Sequence, residues 1–397
     1  MQPILEIHLD LKTPLFAGSW EPNIVDEEFP LRPQTIKGWW RWWARAYAAG
    51  ALFDSGLLRD DSKQAFNEVS ELVGLKAGLG YADPLGRNST ASVYVLDVTS
   101  IGDNTPINKV RAKTTKGYDM KPPLQRITLL TRGKPPKLLQ YIDTETISFK
   151  IAIFLRKQSE NVGLKAGLGA LLTALILSGF GKGGRRGLGC VDIREIRTKE
   201  GSLIKQFEHI NASDVNSVSM LINETKNAYR TLVEKGISYP TSSSPSVPPL
   251  QLISNRIVSR SNLRVFQLYS LEGEKTLENL HNFFASTKRK SVLGEDPFRK
   301  EYIGWILGLP REQKDTGYIV KDIERRASPF ILAVHKQRAY LSLFISRDWP
   351  TEIKWVGNRT KHLSINEDSL ITAFSKAKSA FEKYCKRTGI RCNIVWP

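Results

Sequence analysis

Three basic side chains recur at four-residue intervals in the stretch TIKGWWRWWARAYAAG, residues 35–50. At about 100° per residue, Lys37, Arg41 and Arg45 fall within about 80° of one another on a helix and form one basic stripe. Cations at this spacing repel each other on an isolated helix, whereas a face that only meets water usually alternates its signs. The basic stripe therefore favours phosphate groups as ligands, and an ordinary solvated face is the alternative interpretation.

Four tryptophans share this stretch, and helical periodicity separates them into two pairs. Trp39 and Trp43 fall roughly opposite the basic stripe, so we expect both to pack on a sheet. Trp40 and Trp42 fall on the two borders of the stripe. For this second pair two interpretations stay open: packing beneath another segment, or stacking on a base or a guanidinium.

A second candidate site is the glycine-rich loop GFGKGGRRGLG, residues 179–189, which also carries Lys182, Arg185 and Arg186. Glycines permit positive φ and close backbone approach, and cations supply charge, as a loop that wraps a phosphate backbone requires. The loop contains a formal GxGxxG starting at Gly179, but it follows a predicted helix, so it is not a dinucleotide-binding turn. A flexible helix-to-strand connection is the alternative.

The third basic feature is the insertion at residues 108–137, which has nine basic residues against one acidic residue. It could be a protruding hairpin that grips nucleic acid or a partner subunit, or a solvated loop, and the sequence favours neither. The candidate contacts lie near its start: Lys109, Arg111, Lys113 and Lys116.

Composition limits the function classes. The 397 residues are enough for two or three domains, and a formal charge of +18 fits a polyanionic partner. Three cysteines and five histidines have no metal-ligand spacing, so we expect no metal, no cofactor and no disulfide framework. The longest apolar run is too short for a membrane span and the N-terminus does not resemble a signal peptide, so we expect a cytoplasmic protein. No set of residues points to catalysis.

Hydrophobic periodicity predicts the order strand, helix, strand, strand, helix, strand in the first half, with a second helix after the first one. The predicted segments are 3–12, the helix after Pro33, 62–73 with Phe66, Val69 and Val73 on one face, 91–101, 146–156, 163–178 and 190–198. This is the ferredoxin-like order, an antiparallel sheet with two helices on one face and, in many cases, RNA on the other.

The second half repeats this pattern. An amphipathic helix at 213–235 and a Pro/Ser-rich linker at 239–249 precede it, and strands and helices follow at 263–271, 275–284, 329–336, 339–347, 367–386 and 390–396. The sequence thus predicts an α+β protein of two ferredoxin-like domains with basic insertions. Its predicted divisions are 1–205, a connecting region at 206–250, and 251–397.

Two of these motifs together resemble the RAMP superfamily of CRISPR RNA-binding proteins. LRPQTIKGWWRWWARA (31–46) is similar to the helix signature of the first RAMP subunit of the type III-B Cmr effector complex, and GFGKGGRRGLGCV (179–191) to its glycine-rich loop. RRASPFILAV (325–334) is similar to a segment of its C-terminal half. The extra tryptophans and the basic insertion have no counterpart in the family pattern.

The resemblance implies a non-catalytic subunit at the head of a ribonucleoprotein, beside another RAMP subunit, near the 3′ end of the guide RNA. It would help to capture target RNA. The RNA contacts that the resemblance implies are Lys37, Arg41, Trp43, Arg45, Gly181, Lys182, Gly183, Gly184, Arg185 and Arg186. The alternative is a RAMP endoribonuclease that processes guide precursors, which would need a His, Tyr or Lys set at the 2′-OH.

Overall fold

The computed structural model describes most of the chain. The described residues are 2–18, 21–83, 89–101, 107–111, 124, 127, 130, 131, 137–144, 146–199, 204–234, 246–273, 276–309, 311–313, 316–320, 326–357 and 360–396. Lys113 and Lys116 lie outside these residues, and so does most of the predicted linker at 239–249.

The first half contains the predicted elements and a further hairpin, β3–β4. In chain order they are β1 (Leu5–Leu11), α1 (Pro33–Asp54), α2 (Ser62–Glu71), the π-helical turn Leu72–Lys76, β2 (Tyr94–Ile101), β3 (Ile107–Arg111), β4 (Leu138–Ile142), β5 (Ser148–Leu155), α3 (Asn161–Leu177) and β6 (Val191–Thr198). The 3₁₀ turn Lys205–His209 and α4 (Val215–Glu234) follow.

The second half begins with a buried strand. Its elements are β7 (Phe266–Glu272), α5 (Thr276–Phe283), α6 (Ser286–Leu293), α7 (Pro297–Lys300), the 3₁₀ turn Gly304–Leu307, β8 (Arg311–Gln313), β9 (Thr316–Ile319), β10 (Phe330–Val334), β11 (Ala339–Phe344), β12 (Glu352–Val356), β13 (Lys361–Ser364), α8 (Glu367–Arg387) and β14 (Arg391–Trp396). The sheet β13-β12-β9-β8 was not predicted from the sequence.

The predicted antiparallel sheets are confirmed. Sheet 1 has the order β2-β5-β1-β6 and sheet 2 the order β10-β11-β7-β14. All neighbouring strands in both sheets run antiparallel. When the four strands of each sheet are numbered by their order along the chain, both sheets have the order second, third, first, fourth. The two halves thus repeat one strand topology.

The sheets and helices stack in four layers, because sheet 2 is covered on both faces. On one face Phe344 meets Trp42 and Trp43 of α1. On the other face Tyr269 packs on Phe381 of α8. Helix α1 therefore lies in a layer between the two sheets, together with α3 and α4.

Sheet 1 has one covered and one open face. Along β1 the residues Leu5, Ile7 and Leu9 are completely buried, while the alternate side chains are half-buried. The open face carries ion pairs, with Lys150 2.8 Å from Glu6 and Arg197 2.7 Å from Glu195. The charges on this face are therefore largely compensated within the protein.

Helix α1 begins at Pro33, whose missing N–H costs nothing in a first turn. Its buried side includes Trp40 and Trp43, whose ring N–H groups donate to the Gly167 carbonyl and to Ser178 Oγ, both at 2.7 Å. The prediction for Trp43 as a packing residue is confirmed. The prediction for Trp39 is wrong, because Trp39 is only half-buried and Trp40 takes the core position.

The basic insertion begins in β3 and ends just before β4, and these two strands form a hairpin. Val110 of β3 and Leu139 and Tyr141 of β4 pack with Phe16 and Leu188 in a small second core. The hairpin therefore lies against the glycine-rich loop, which contains Leu188.

The connecting region packs into the helical layer. Tyr229 of α4 stacks on Tyr47 of α1 at 5.8 Å, and the Ile253 amide donates to the Ala46 carbonyl at 2.9 Å. The chain therefore crosses α1 as it enters the second half. In the described part of the chain, no helix is long and apolar enough to cross a membrane.

The crossing at α1 requires Gly50, since a Cβ built there would lie 2.0 Å from the Ile253 carbonyl oxygen. We expect Gly50→Ala to lower the free energy of unfolding by about 3 kcal/mol, because overpacking must shift one of the two backbones. Urea denaturation followed by tryptophan fluorescence measures this. An unchanged midpoint would contradict the close crossing.

Candidate functional site

The basic stripe lies on the side of α1 that faces α2. Arg41 is exposed and its Nη2 donates to the Leu79 carbonyl at 2.9 Å. Arg45 is half-buried, with its guanidinium 5.2 Å from the centre of the Phe66 ring. Lys37 lies half-buried one turn before Arg41. The predicted stripe thus exists and has an aromatic ring beside it.

Phe66 was predicted to share one helix face with Val69 and Val73; Val69 and Val73 are buried, whereas Phe66 is 45% exposed. The buried line of α2 contains Ala65 and Val69 instead. A spacing of four residues joins these two, and the small size of Ala65 hid this signal in the sequence.

The charges of the stripe act on one another. Burial lowers the pKa of Arg45, and the neighbouring Arg41 lowers it further. Both causes oppose the charged form of the guanidinium. An anion bound beside the two arginines would remove this repulsion.

The glycine-rich loop is folded tightly on its own chain. Gly181 has a φ of +72°, and a Cβ there would lie 2.6 Å from the Phe16 carbonyl oxygen. Gly183 also has positive φ, and a Cβ on Gly184 would lie 2.1 Å from the Gly179 carbonyl oxygen. The close approach that these glycines allow is therefore made to the protein's own backbone, at Phe16 and Gly179.

Lys182 carries the charge of this loop towards the basic insertion. Its Nζ donates to Asn23 Oδ1 at 2.9 Å, and its side chain is half-buried. Its pKa is lowered by burial and then by Lys137 of the insertion, and Glu21 acts in the opposite direction. Lys109 is exposed on β3. The fold thus brings one lysine of the loop near Lys137 of the insertion.

Arg185 has a different environment. Its guanidinium lies over the rings of Trp39 and Trp42, 5.1 and 5.0 Å from their centres, and donates to the Ser328 carbonyl at 3.0 Å. Burial lowers its pKa to about 10, Arg326 lowers it further and Asp348 acts in the opposite direction. This contact answers the open question about Trp42, which packs on a guanidinium.

Arg186 also reaches into the second half. Its guanidinium lies 3.8 Å from the centre of the Phe284 ring and donates to the carbonyls of Phe330 and Leu307. Its own carbonyl accepts a hydrogen bond from His281 Nε2 at 2.6 Å. Arg185, Arg186, Trp39 and Trp42 form what we call the inter-half clasp.

The predicted RNA contacts therefore divide into three groups. Lys37, Arg41, Arg45 and Lys182 keep side chains on or near the surface. Arg185, Arg186 and Trp43 are engaged in packing, and Trp43 is completely buried, so its predicted RNA contact is wrong. Gly181, Gly183 and Gly184 shape the loop. For Arg111 the structure describes only the backbone.

Two of the histidines have their ring nitrogens inside the protein. His335 is buried, with its Nε2 and Nδ1 each 2.7 Å from an acceptor: the Ile176 carbonyl and Asp192. His8, on the open face of sheet 1, has two ring nitrogens that are covered and lack a hydrogen-bond partner. Among the described residues no group of three or more His, Cys, Asp or Glu could hold a metal ion.

The model of the RAMP superfamily matches residues 8–192. This span runs from β1 into β6 and includes both α1 and the glycine-rich loop. Residues 8–192 belong to the RAMP superfamily. The resemblance found in the sequence is thereby confirmed. No curated protein matches the chain.

Solved structures share the fold of the chain over its second half as well. The crystal structure of apo Cmr1 from Pyrococcus furiosus is 17% identical, covers 99% of this chain and 98% of that chain, and has a TM-score of 0.53. A chain of the type III-B Cmr-beta complex bound to cognate target RNA is 15% identical, with 96% and 100% covered and a TM-score of 0.54. In the same complex with AMPPnP and ssDNA the values are 14%, 96%, 99% and 0.56. At these identities the likeness shows a shared fold.

The clasp can be tested without changing the charge of the RAMP segment. Arg185→Lys keeps a cation but loses the planar group that stacks on both indoles and reaches Ser328. We expect the free energy of unfolding to fall by about 2 kcal/mol. Arg194→Lys, on the exposed part of β6, is the matched control and should leave stability unchanged. Equal stability of both variants in urea would contradict the clasp.

Proposed function

We propose that this chain is a non-catalytic RNA-binding subunit of a type III-B CRISPR (Cmr) ribonucleoprotein that helps to capture target RNA in antiviral defence. The observation that carries the proposal is the likeness, over nearly the whole chain, to Cmr1 and to a chain of Cmr-beta bound to cognate target RNA. Its partners are guide RNA, target RNA and other RAMP subunits. It works in the cytoplasm, at the head of the complex near the 3′ end of the guide.

Both halves are ferredoxin-like units in this proposal. The repeated strand order supports the assignment, since each sheet places its first strand between its third and fourth. The second half lies outside the residues matched by the family model, so its assignment depends on this topology and on the structural likeness.

The first RNA surface is the cationic face of α1, formed by Lys37, Arg41 and Arg45. Arg41 is exposed, and Arg45 is destabilised in its charged form by burial and by Arg41. A phosphate beside the two guanidiniums would relieve the repulsion and release bound counterions. These two gains favour a polyanion over a neutral partner.

Phe66 adds a place for a base at this surface. Its ring is 45% exposed although it lies beside an arginine, and burying such a ring is favourable. Base–aromatic stacking contributes about 1–3 kcal/mol and tolerates any base. The pairing of Arg45 with Phe66 therefore suits a nucleotide, with phosphate on the cation and base on the ring.

The second RNA surface consists of Lys182 with Lys137 and Lys109 of the hairpin. Lys182 and Lys137 repel each other, so this pair also gains from a phosphate. Arg111, Lys113 and Lys116 remain predicted contacts of the same insertion. Arg185 and Arg186 we assign to the inter-half clasp, from which they position the loop that carries Lys182.

The proposal predicts a specific salt dependence. If about four phosphates are contacted, the logarithm of affinity for single-stranded RNA falls with the logarithm of salt with a slope near about −2.8. Arg41→Gln with Arg45→Gln removes two contacts, so we expect a slope near about −1.4. Fluorescence anisotropy of labelled RNA between about 50 and 200 mM salt measures both.

The control replaces two exposed arginines that are already paired with carboxylates, Arg197→Gln and Arg391→Gln. It removes the same formal charge and should leave the slope near that of the wild type. Equal slopes for the test and control variants would show that α1 is not the RNA surface.

An endoribonuclease that processes guide precursors is the alternative function. His8 is its best candidate for a general acid or base, but the covered ring nitrogens of His8 cannot reach a 2′-OH without a rearrangement. We expect the purified protein to leave repeat RNA intact, with or without EDTA, on a denaturing gel. Defined cleavage products that disappear in His8→Ala would support the enzyme instead.

A further inference from the structure

Gly38 lies in the second turn of α1, between Lys37 and the rest of the basic stripe. A glycine inside a helix is less favourable than alanine by about 1 kcal/mol, because it loses more backbone entropy on folding. A helical glycine therefore needs a reason, which is usually that another group packs where the side chain would be.

Every other α-helical glycine among the described residues has such a reason. A Cβ on each would lie within 2.4 Å of another atom: Gly50 at the Ile253 carbonyl, Gly163 at the Lys76 carbonyl, Gly167 at Tyr94 Oη and Gly169 at Thr225 Oγ1. A Cβ on Gly38 meets nothing within 4 Å, and Gly38 is exposed. The described part of the protein thus leaves open the space that this glycine creates.

The open space belongs to the cationic face. At about 100° per residue, Gly38 lies about 60° around the helix from Arg41 and about 20° from Arg45. Along the axis, Arg41 lies about 4.5 Å and Arg45 about 10.5 Å from Gly38, so a chain of phosphates that approaches α1 at Gly38 can follow the stripe from one arginine to the next. A missing side chain at this point lets a ligand come closer to the helix backbone and to these charges than alanine would allow.

We propose that the sugar–phosphate backbone of RNA makes its closest approach to α1 at Gly38. This inference rests on the proposed function, since it takes the cationic face as an RNA surface. The occupant is a phosphate chain and not an apolar partner, because the space is flanked by Lys37 and Arg41. A methyl group at this position would hold the phosphates away from the cations and weaken their attraction.

The test is Gly38→Ala in the full chain, with two measurements that move in opposite directions. Since nothing in the described fold occupies the space, we expect the melting temperature to rise by about 2 °C. The dissociation constant for a labelled single-stranded RNA of mixed sequence should increase about tenfold. Ser379→Ala, on the exposed side of α8, adds helix propensity elsewhere and should raise stability without changing RNA affinity.

The outcomes separate this inference from the proposed function. If Arg41→Gln with Arg45→Gln weakens RNA binding but Gly38→Ala binds as the wild type does, the close approach at Gly38 is overturned while the RNA surface stands. If the wild type binds no RNA, the proposed function fails and this inference with it. If the arginine variant binds as well as the wild type, α1 is not the RNA surface and this inference is overturned while RNA binding elsewhere stands. If Gly38→Ala is more stable and binds RNA more weakly, the inference holds.

Discussion

Arg185 anchors the two halves of the molecule where α1, the glycine-rich loop and the second half meet. Its guanidinium lies over two indoles of α1 and donates to Ser328, while its carbonyl accepts a hydrogen bond from the Leu332 amide. A buried cation is costly unless polar or aromatic groups replace its water, and here two ring faces and a carbonyl oxygen do so. Removing any of these partners leaves the charge uncompensated. The orientation of α1 towards sheet 2, and of all that α1 presents to solvent, depends on this contact.

The anchor divides the cations of the chain into two roles. An arginine that is stacked and hydrogen-bonded inside the protein cannot also bind a phosphate. In the glycine-rich loop, Arg185 and Arg186 therefore position the loop, and Lys182 is the cation that remains near the surface. The cations of the stripe on α1 are not needed to hold the helix in place. Trp40 and Trp43 fix the helix from its buried side by hydrogen bonds to Gly167 and Ser178. Cations on a helix held in this way need little ordering when a ligand binds, which favours affinity.

Most of the element order could be predicted from the sequence because it depends on local periodicity, as in the alternation of β1 and the regular apolar spacing of α8.

The errors occur where a segment that is distant along the chain determines which face of an element is covered. A helical wheel gives the angle between Trp39 and Trp40, but the partners of Trp40, Tyr94 and the Gly167 carbonyl, lie far away along the chain. The acceptor of Arg185 lies 143 residues away and an acceptor of Arg186 lies 144 residues away, and no local pattern encodes such partners. The burial of Ala65 in place of Phe66 was not predicted, because alanine gives a weak apolar signal. The sheet formed by β8, β9, β12 and β13 has strands of three to five residues, too short for periodicity to detect.

The open face of sheet 1 is where a ferredoxin-like unit often binds RNA, yet its electrostatics point elsewhere. Lys150 and Arg197 on this face already have carboxylate partners, Glu6 and Glu195. A paired cation gains little from phosphate, because it must give up its carboxylate partner first. The stripe on α1 has the opposite character, since its arginines neighbour each other and an anion lowers their mutual repulsion. Net charge alone therefore does not locate a polyanion on this fold. At Arg45 and at Lys182, by contrast, a neighbouring cation lowers the pKa of the charged group.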